Sequence, residues 1–194
     1  MNHSETSPLR ITVLCGNPRP ASRTLSAAVQ VSNALASALG GAVVRRETVD
    51  LADLASELFA PTRPRVEQAL SLVTHSDVLV VATPVYKGTY SGLLKSFLDW
   101  LPHRALAGVV AVPVTVMGHP AHALAGDVHL RPLLVELGAS TPTAAVALTE
   151  DQLTEDDPTA PWAEHNARLA ADSARTLHEI RTQESRTRRE EALA

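Results

Sequence analysis

Short β-branched runs alternate with stretches of helical period along this chain. Arg10 to Cys15 reads as a strand, and after a loop the apolar positions Leu25, Ala28, Val29, Leu35, Ala36 and Leu39 recur at helical spacing until Gly40-Gly41 stops them. Ala42 to Val49 predicts a second strand, with Asp50 after it, and Arg65 to Thr74 a second helix preceded by Pro64. Asp77 to Ala82 is a third strand, followed by a polar loop and a helix over Ser91 to Trp100. Val109 to Val116 is a fourth strand, whose Pro113 suits an edge or a bulge. A fourth helix runs from about Ala121 to Leu137, kinked by Gly126 and Pro132 and ended by Gly138. Residues 140–148 form a fifth strand, and Trp162 to about Arg181 a last helix.

Five strands alternating with five helices imply an α/β fold, a doubly wound parallel sheet covered on both faces. Short apolar strands and right-handed crossovers fit the flavodoxin-like order 2-1-3-4-5, in which ligands sit beyond the carboxyl ends of strands 1, 3 and 4. The polar loops follow those strands. One domain over residues 9–182 is expected, between a flexible N-terminus (1–8) and a flexible charged tail (183–194). Residues 149–160 form an acidic loop.

Composition narrows the partners. A net charge of −4 and a pI near 6.0 give no electrostatic reason to expect nucleic acid or an anionic membrane. No apolar run approaches the roughly 20 residues that span a bilayer, and the polar start lacks a signal-peptide core, so a cytoplasmic protein with a small soluble ligand is expected. The single cysteine, Cys15, ends an apolar strand and reads as a packing residue.

The chemistry concentrates in two loops. Both tyrosines (86 and 90) and the chain's only lysines (87 and 95) fall between Ala82 and Trp100, in a chain with 3% aromatics. This marks the loop after strand three as ligand-facing. The other loop, Gly16-Asn17-Pro18-Arg19-Pro20-Ala21-Ser22-Arg23-Thr24, lies between strand one and helix one. There the helix N-terminus presents unpaired N–H groups, Ser22 and Thr24 add hydroxyls, and Arg19 can close a forked contact on a phosphate. Alternatively Ser22 or Thr24 merely caps the helix, with the arginines solvated. The strand-loop-helix setting favours phosphate. The loop matches neither G-x-x-x-x-G-K-[ST] nor G-x-G-x-x-G, which argues against a nucleoside triphosphatase and a standard dinucleotide site.

Together, G-N-P-R-P-A-S-R-T and T-P-V-Y-K-G-T-Y-S-G-L-L-K-S-F-L-D resemble the NADPH-dependent FMN reductase family over roughly residues 10–148. With Gly118-His119-Pro120 and the stretch to Leu130-Arg131-Pro132, the chain looks most like the flavin reductases of two-component alkanesulfonate monooxygenase systems. The resemblance implies a flavin-phosphate site at Asn17, Arg19, Ser22 and Thr24 with Arg23 near the rim. It implies an isoalloxazine border at Pro84, Val85, Tyr86, Lys87, Gly88 and Thr89. The family's third loop usually carries a Gly-Gly pair; here Gly118 is followed by His119, a departure that leaves the histidine's part open. Some relatives widen one turn of helix four into a π-bulge by an inserted aromatic or histidine, and the corresponding stretch here is Asp127-Val128-His129-Leu130.

The implied function is an NAD(P)H:FMN oxidoreductase, using FMN with NADPH or NADH and handing reduced FMN to a partner monooxygenase. No acid or base side chain is expected, because hydride transfer asks the protein to align two rings. Backbone N–H groups of the second loop are expected to stabilise charge on the flavin. The alternatives are a quinone, azo-dye or metal-ion reductase with tightly bound FMN, and a non-enzymatic electron carrier, which six aromatics and modest charge disfavour. His119, His122 and His129 bear no H-E-x-x-H pattern, and no metal is expected. Lys95 and Asp99 read as a surface or interface pair. Apolar residues spread around the Ser91 to Trp100 helix, together with the resemblance, suggest a homodimer or homotetramer.

Overall fold

Uninterrupted apolar runs form the middle of the sheet. In the computed structural model, which describes residues 8–40 and 45–193, β3 (Val78–Pro84) and β4 (Val110–Met117) are buried at every position. β1 (Arg10–Cys15) lies beside β3, with β2 (Arg45–Asp50) and β5 (Val146–Thr149) at the edges. All pairings are parallel and the order is β2-β1-β3-β4-β5, as the sequence predicts. Charged Arg45, Arg46 and Glu47 keep the β2 edge solvated, which discourages edge pairing. The expected N-terminal segment up to residue 7, and the first part of the expected second strand (42–44), lie outside the described residues.

Alternate strand residues serve two cores. Val78, Val80 and Ala82 meet α1 (Arg23–Ala38) and α5 (Ala160–Leu193), where Ala28, Val31, Leu35, Ala170 and Ala174 are buried. Leu79 and Val81 face α2 (Pro64–Thr74), α3 (Gly92–Leu98) and α4 (Arg131–Glu136) through Val73, Phe97 and Leu134. The sheet is therefore covered on both faces. Among the described residues, no helix is long and apolar enough to cross a membrane.

Besides the fifth strand, which spans Val146–Thr149 rather than residues 140–148, four details differ from the sequence reading. Pro113 sits in β4, an interior strand rather than an edge. Ala111 N–H donates to Ser140 O on the β5 side, so by alternation Pro113 turns its missing donor to that same side, before β5 begins at Val146. No ladder bond is lost there. Helix four is split: Pro120–His122 makes a single tight turn, Gly126–Leu130 is a wide π turn, and only then does α4 begin. Pro132 has no N–H to offer Val128 O, and Arg131 N–H instead reaches back to Gly126 O. Asp127 pins the turn by pairing with Arg131 and accepting from Ala145 N–H at 3.1 Å. His129 lies in this turn, exposed.

The third difference is α5, which continues past Arg181 to Leu193 and is exposed from Gln183 to Ala192. Oppositely charged residues four apart, such as Glu184 with Arg188, suit a solvated helix. The fourth concerns α3: Leu94, Phe97 and Leu98 are buried in the chain's own core, and Trp100 lies under the Arg63 guanidinium, 3.5 Å from the ring centroid. The apolar surface of α3 is thus mostly used within the chain, and it no longer argues for assembly. Exposed apolar side chains instead line up on the fourth helical segment, at Leu124, Val128, Pro132 and Val135.

At the amino-terminal edge of the sheet, Asp77 is 3% exposed and ties α5 down. Its Oδ2 accepts from Arg10 N–H at 2.7 Å, and its Oδ1 lies 2.9 Å from His178 Nδ1 and pairs with Arg181. Removing a buried carboxylate strands these donors, so Asp77→Ala should cost about 2–4 kcal/mol in urea unfolding. Asp172→Ala, which removes an exposed pair with Arg168 and Arg175, should cost about 0.5 kcal/mol or less. Equal losses would show that Asp77 is no anchor.

Candidate functional site

The site is built at the carboxyl edge of β1, β3 and β4. Gly16 leaves β1 with its N–H on Ala82 O at 2.7 Å, and Ser91 Oγ donates to Gly16 O at 2.5 Å. The same Ser91 oxygen accepts from Leu94 N–H at 3.1 Å and so caps α3. A Cβ on Gly16 would stand 2.5 Å from Leu94 Cβ and 3.3 Å from its Cα, so only glycine permits this approach. The first loop is then shaped from within. Asn17, 8% exposed, accepts from Arg19 N–H at 2.9 Å through Oδ1 and donates from Nδ2 to Thr24 Oγ1 at 2.9 Å. Ser22 Oγ accepts from Leu25 N–H at 3.2 Å, capping α1. The simple capping role is therefore real for Ser22, whose hydroxyl also lies 3.7 Å from Cys15 Sγ, a contact in which either atom can donate. Asp50 Oδ2 holds Ala21 N–H at 3.2 Å, where Ala21 has φ of +49°.

The second loop is a hairpin turn. Val85 N–H donates to Val116 O at 2.7 Å, and Tyr86 and Thr89 exchange backbone hydrogen bonds at 2.9 and 3.3 Å. Lys87 and Gly88 between them have φ of +53° and +84°, as the central residues of a type I′ turn do. Three amides of the loop are thereby committed to the protein. Of the loop's amides, Lys87 and Gly88 at the tip, and Tyr90 after it, have no backbone acceptor among the described residues.

A cavity of about 310 Å³ lies between these loops. It brings together Asn17, Arg19, Ser22, Arg23, Thr24, Pro84, Val85, Tyr86 and Gly118 from the sequence-predicted set. Lys87, Gly88 and Thr89 stand at the turn beyond it and do not line it. Tyr86 is 47% exposed, a loop residue rather than core. His119 is absent from the lining: its Nδ1 accepts from Ala121 N–H at 3.1 Å and caps the turn at Pro120–His122. Lys95 and Asp99 form an exposed ion pair on α3, and hydrogen bonding to Asp99 raises the ammonium's pKa.

The lining also includes Pro20 and Ala21, which lie in the first motif but were not assigned to the site, and Val116 and Glu150, which sequence reasoning missed. Glu150 Oε2 is 2.7 Å from Arg23 Nη2, across the mouth of the cavity. Its position directly after the fifth strand, at the head of the acidic loop, was the available signal.

The model of the NADPH-dependent FMN reductase family matches residues 9–152, which include every element of this site. The chain belongs to that family. By its description, the family's chemistry is oxidoreduction with FMN and NADPH. An FMN reductase (NADPH) of Pseudomonas putida is 40% identical over 98 residues, 50% of this chain. The chain thus matches about half of that relative's length (50%). The NADH-dependent FMN reductase SfnF of Pseudomonas fluorescens is 32% identical over 175 residues, covering 88% of this chain and 92% of that one. The solved structure of an oxidoreductase from Corynebacterium diphtheriae superposes with a TM-score of 0.76 at 29% identity, over 89% of this chain and 98% of the other. Relatives in this FMN reductase family are thus named for both nicotinamide nucleotides.

Cys15, under the first loop, is fully buried. Burial pushes its thiol pKa up, against smaller downward pulls from hydrogen bonding to the Asn17 backbone and Ser22, while Asp50 pushes it further up. The folded chain therefore keeps a neutral thiol where the unfolded chain ionises, and this stabilising contribution falls as pH rises from the unfolded value through the folded one. Native protein at pH 8 should react with less than a tenth of a thiol equivalent of an aromatic disulfide reagent, and urea-unfolded protein with a full one. Rapid native labelling would show the first loop opening freely.

Proposed function

We propose that this chain is an NAD(P)H-dependent FMN reductase that takes FMN as a dissociable substrate and passes reduced FMN to a partner monooxygenase. The observation that carries the reading is the cavity itself, which brings exposed Arg19 and the capped start of α1 together with Pro84, Val85 and Tyr86 of the second loop. The donor set fits a phosphorylated flavin. Arg19, the Ser22 hydroxyl and the first amides of α1 would hold the phosphate, and Asn17 keeps their loop in shape through its bonds to Arg19 and Thr24. The Lys87 and Gly88 amides would meet the ring's pyrimidine edge, where negative charge accumulates on reduction.

Bound FMN supplies an N5 acceptor for hydride from nicotinamide C4. The chain's part is alignment, and no lining side chain is assigned as acid or base. Weak flavin retention follows from the rings available. Among the described residues, Tyr86 is the only aromatic in the lining. Tyr90 packs against the core, Trp162 is buried with Nε1 on Ala144 O at 2.9 Å, and Trp100 stacks with Arg63. The phosphate contacts would supply most of the affinity. Assembly as a homodimer or homotetramer would cover the apolar stripe at Leu124, Val128, Pro132 and Val135.

Purified protein should be nearly colourless and should oxidise NADPH or NADH only when FMN is added. A yellow protein with stoichiometric FMN held at nanomolar affinity would replace the dissociable-substrate reading with a bound-flavin reductase. Arg19→Ala should weaken FMN by about 1.5–3 kcal/mol, roughly tenfold or more, and leave riboflavin within about twofold, as flavin fluorescence titration would report. Equal losses for both flavins would remove Arg19 from the phosphate. Light scattering at micromolar concentration should give a multiple of the 20.6 kDa chain mass, and Val128→Asp should lower it.

A further inference from the structure

The lining of the cavity contains one side chain of the wrong sign. Arg19 and Arg23 suit a phosphate dianion, yet Glu150 stands in the same wall. Its place is fixed by the fold: Glu150 N–H donates to Met117 O at 2.9 Å, so the residue is held at the end of β4. From there it takes up both arms of the Arg23 fork, Nη2 on Oε2 at 2.7 Å and Nη1 near its carbonyl oxygen at 3.4 Å. Arg23 is the first residue of α1, so the pair spans the cavity mouth between the first loop and the loop after β5. As a stabilising contact it is weak, since both side chains are more than half exposed (59% and 56%).

We propose that Glu150 is a counter-ion with which the FMN phosphate competes for Arg23, and that this competition sets how readily flavin leaves. The inference rests on the reading of the cavity as an FMN site. With Arg23 held by Glu150, the phosphate meets Arg19, hydroxyls and helix amides, plus an uncompensated carboxylate nearby. To gain the Arg23 fork, the phosphate must open the pair and leave Glu150 to water. Either route lowers affinity for the phosphorylated flavin and leaves riboflavin untouched. An enzyme that releases its reduced flavin benefits from such a brake, because a full two-arginine clamp would slow departure. Glu150 is thus a positioning residue, acting on the ligand through Arg23.

Dissociation constants of FMN and riboflavin for wild type, Glu150→Gln, Arg23→Ala and the double variant test this. Glu150→Gln should tighten FMN about three- to tenfold and leave riboflavin within about twofold. A gain of affinity is a result that damage to the fold does not produce. In the Arg23→Ala background the gain should shrink to twofold or less, since the competed guanidinium is gone. In steady state, Glu150→Gln should lower KM for FMN without raising kcat. The inference is overturned if FMN binds wild type better than riboflavin but Glu150→Gln leaves FMN unchanged or weaker, tightens riboflavin equally, or keeps its full gain without Arg23. If wild type does not distinguish FMN from riboflavin, the phosphate site itself is wrong and both readings fall together.

Discussion

Both loops of the site hang from one contact, the close approach of Gly16 to the first turn of α3. Gly16 bonds Ala82 in β3, receives the Ser91 hydroxyl, and lies where any Cβ would strike Leu94. Ser91 caps α3 with the same oxygen, and its own N–H rests on Thr83 Oγ1 at 2.9 Å. The end of β1, the end of β3 and the start of α3 are thus fastened at a single point. A ligand bridging the two loops meets a preset spacing rather than two mobile segments, which spares the ordering cost of binding.

Charge is distributed so that the two ends of the sheet do different work. At the amino edge, the buried Asp77 gathers Arg10, His178 and Arg181 and fastens α5 to the central strands. Asp77 is the shared acceptor of all three. At the carboxyl edge the groups are exposed, and the Arg23–Glu150 pair is open to water. A well-desolvated cluster holds the fold, whereas a solvated one is cheap to rearrange. The difference in burial, rather than in residue type, separates anchor from binding site.

The wide turn at Gly126–Leu130 joins the site side of β4 to the apolar stripe on the fourth helical segment. Gly126 packs where a Cβ would come within 2.6 Å of Ala145 and 3.3 Å of Thr115, so this turn is pressed onto the sheet. Asp127 and Arg131 lock it to the same neighbouring segment, through Ala145 N–H and the Thr141 and Thr143 carbonyls. The segment is therefore a fixed departure from regular helix and not a frayed end.

Periodicity was enough for the alternation of strands and helices, because strand runs such as Val78–Ala82 and helical stripes such as Leu25–Leu39 are local patterns, and right-handed crossovers then gave the parallel sheet and its strand order. The two polar loops stood out for a similar reason: a polar motif between strand and helix is a local signal, and nine of the twelve expected residues line one cavity. What the pattern could not show were relations between distant residues. The tolerance of Pro113 depends on where β5 begins, and the burial of Phe97 and Leu98 depends on the opposing core. The meeting of Glu150 with Arg23, 127 residues apart, was likewise set by tertiary approach, whereas the internal bonds of Asn17 and the His119 cap are local and were decided by the loop conformations. Sequence determines which groups can donate, accept or pack; the folded arrangement decides which are already satisfied and which remain for a ligand, because satisfaction is a property of pairs that only the fold brings together.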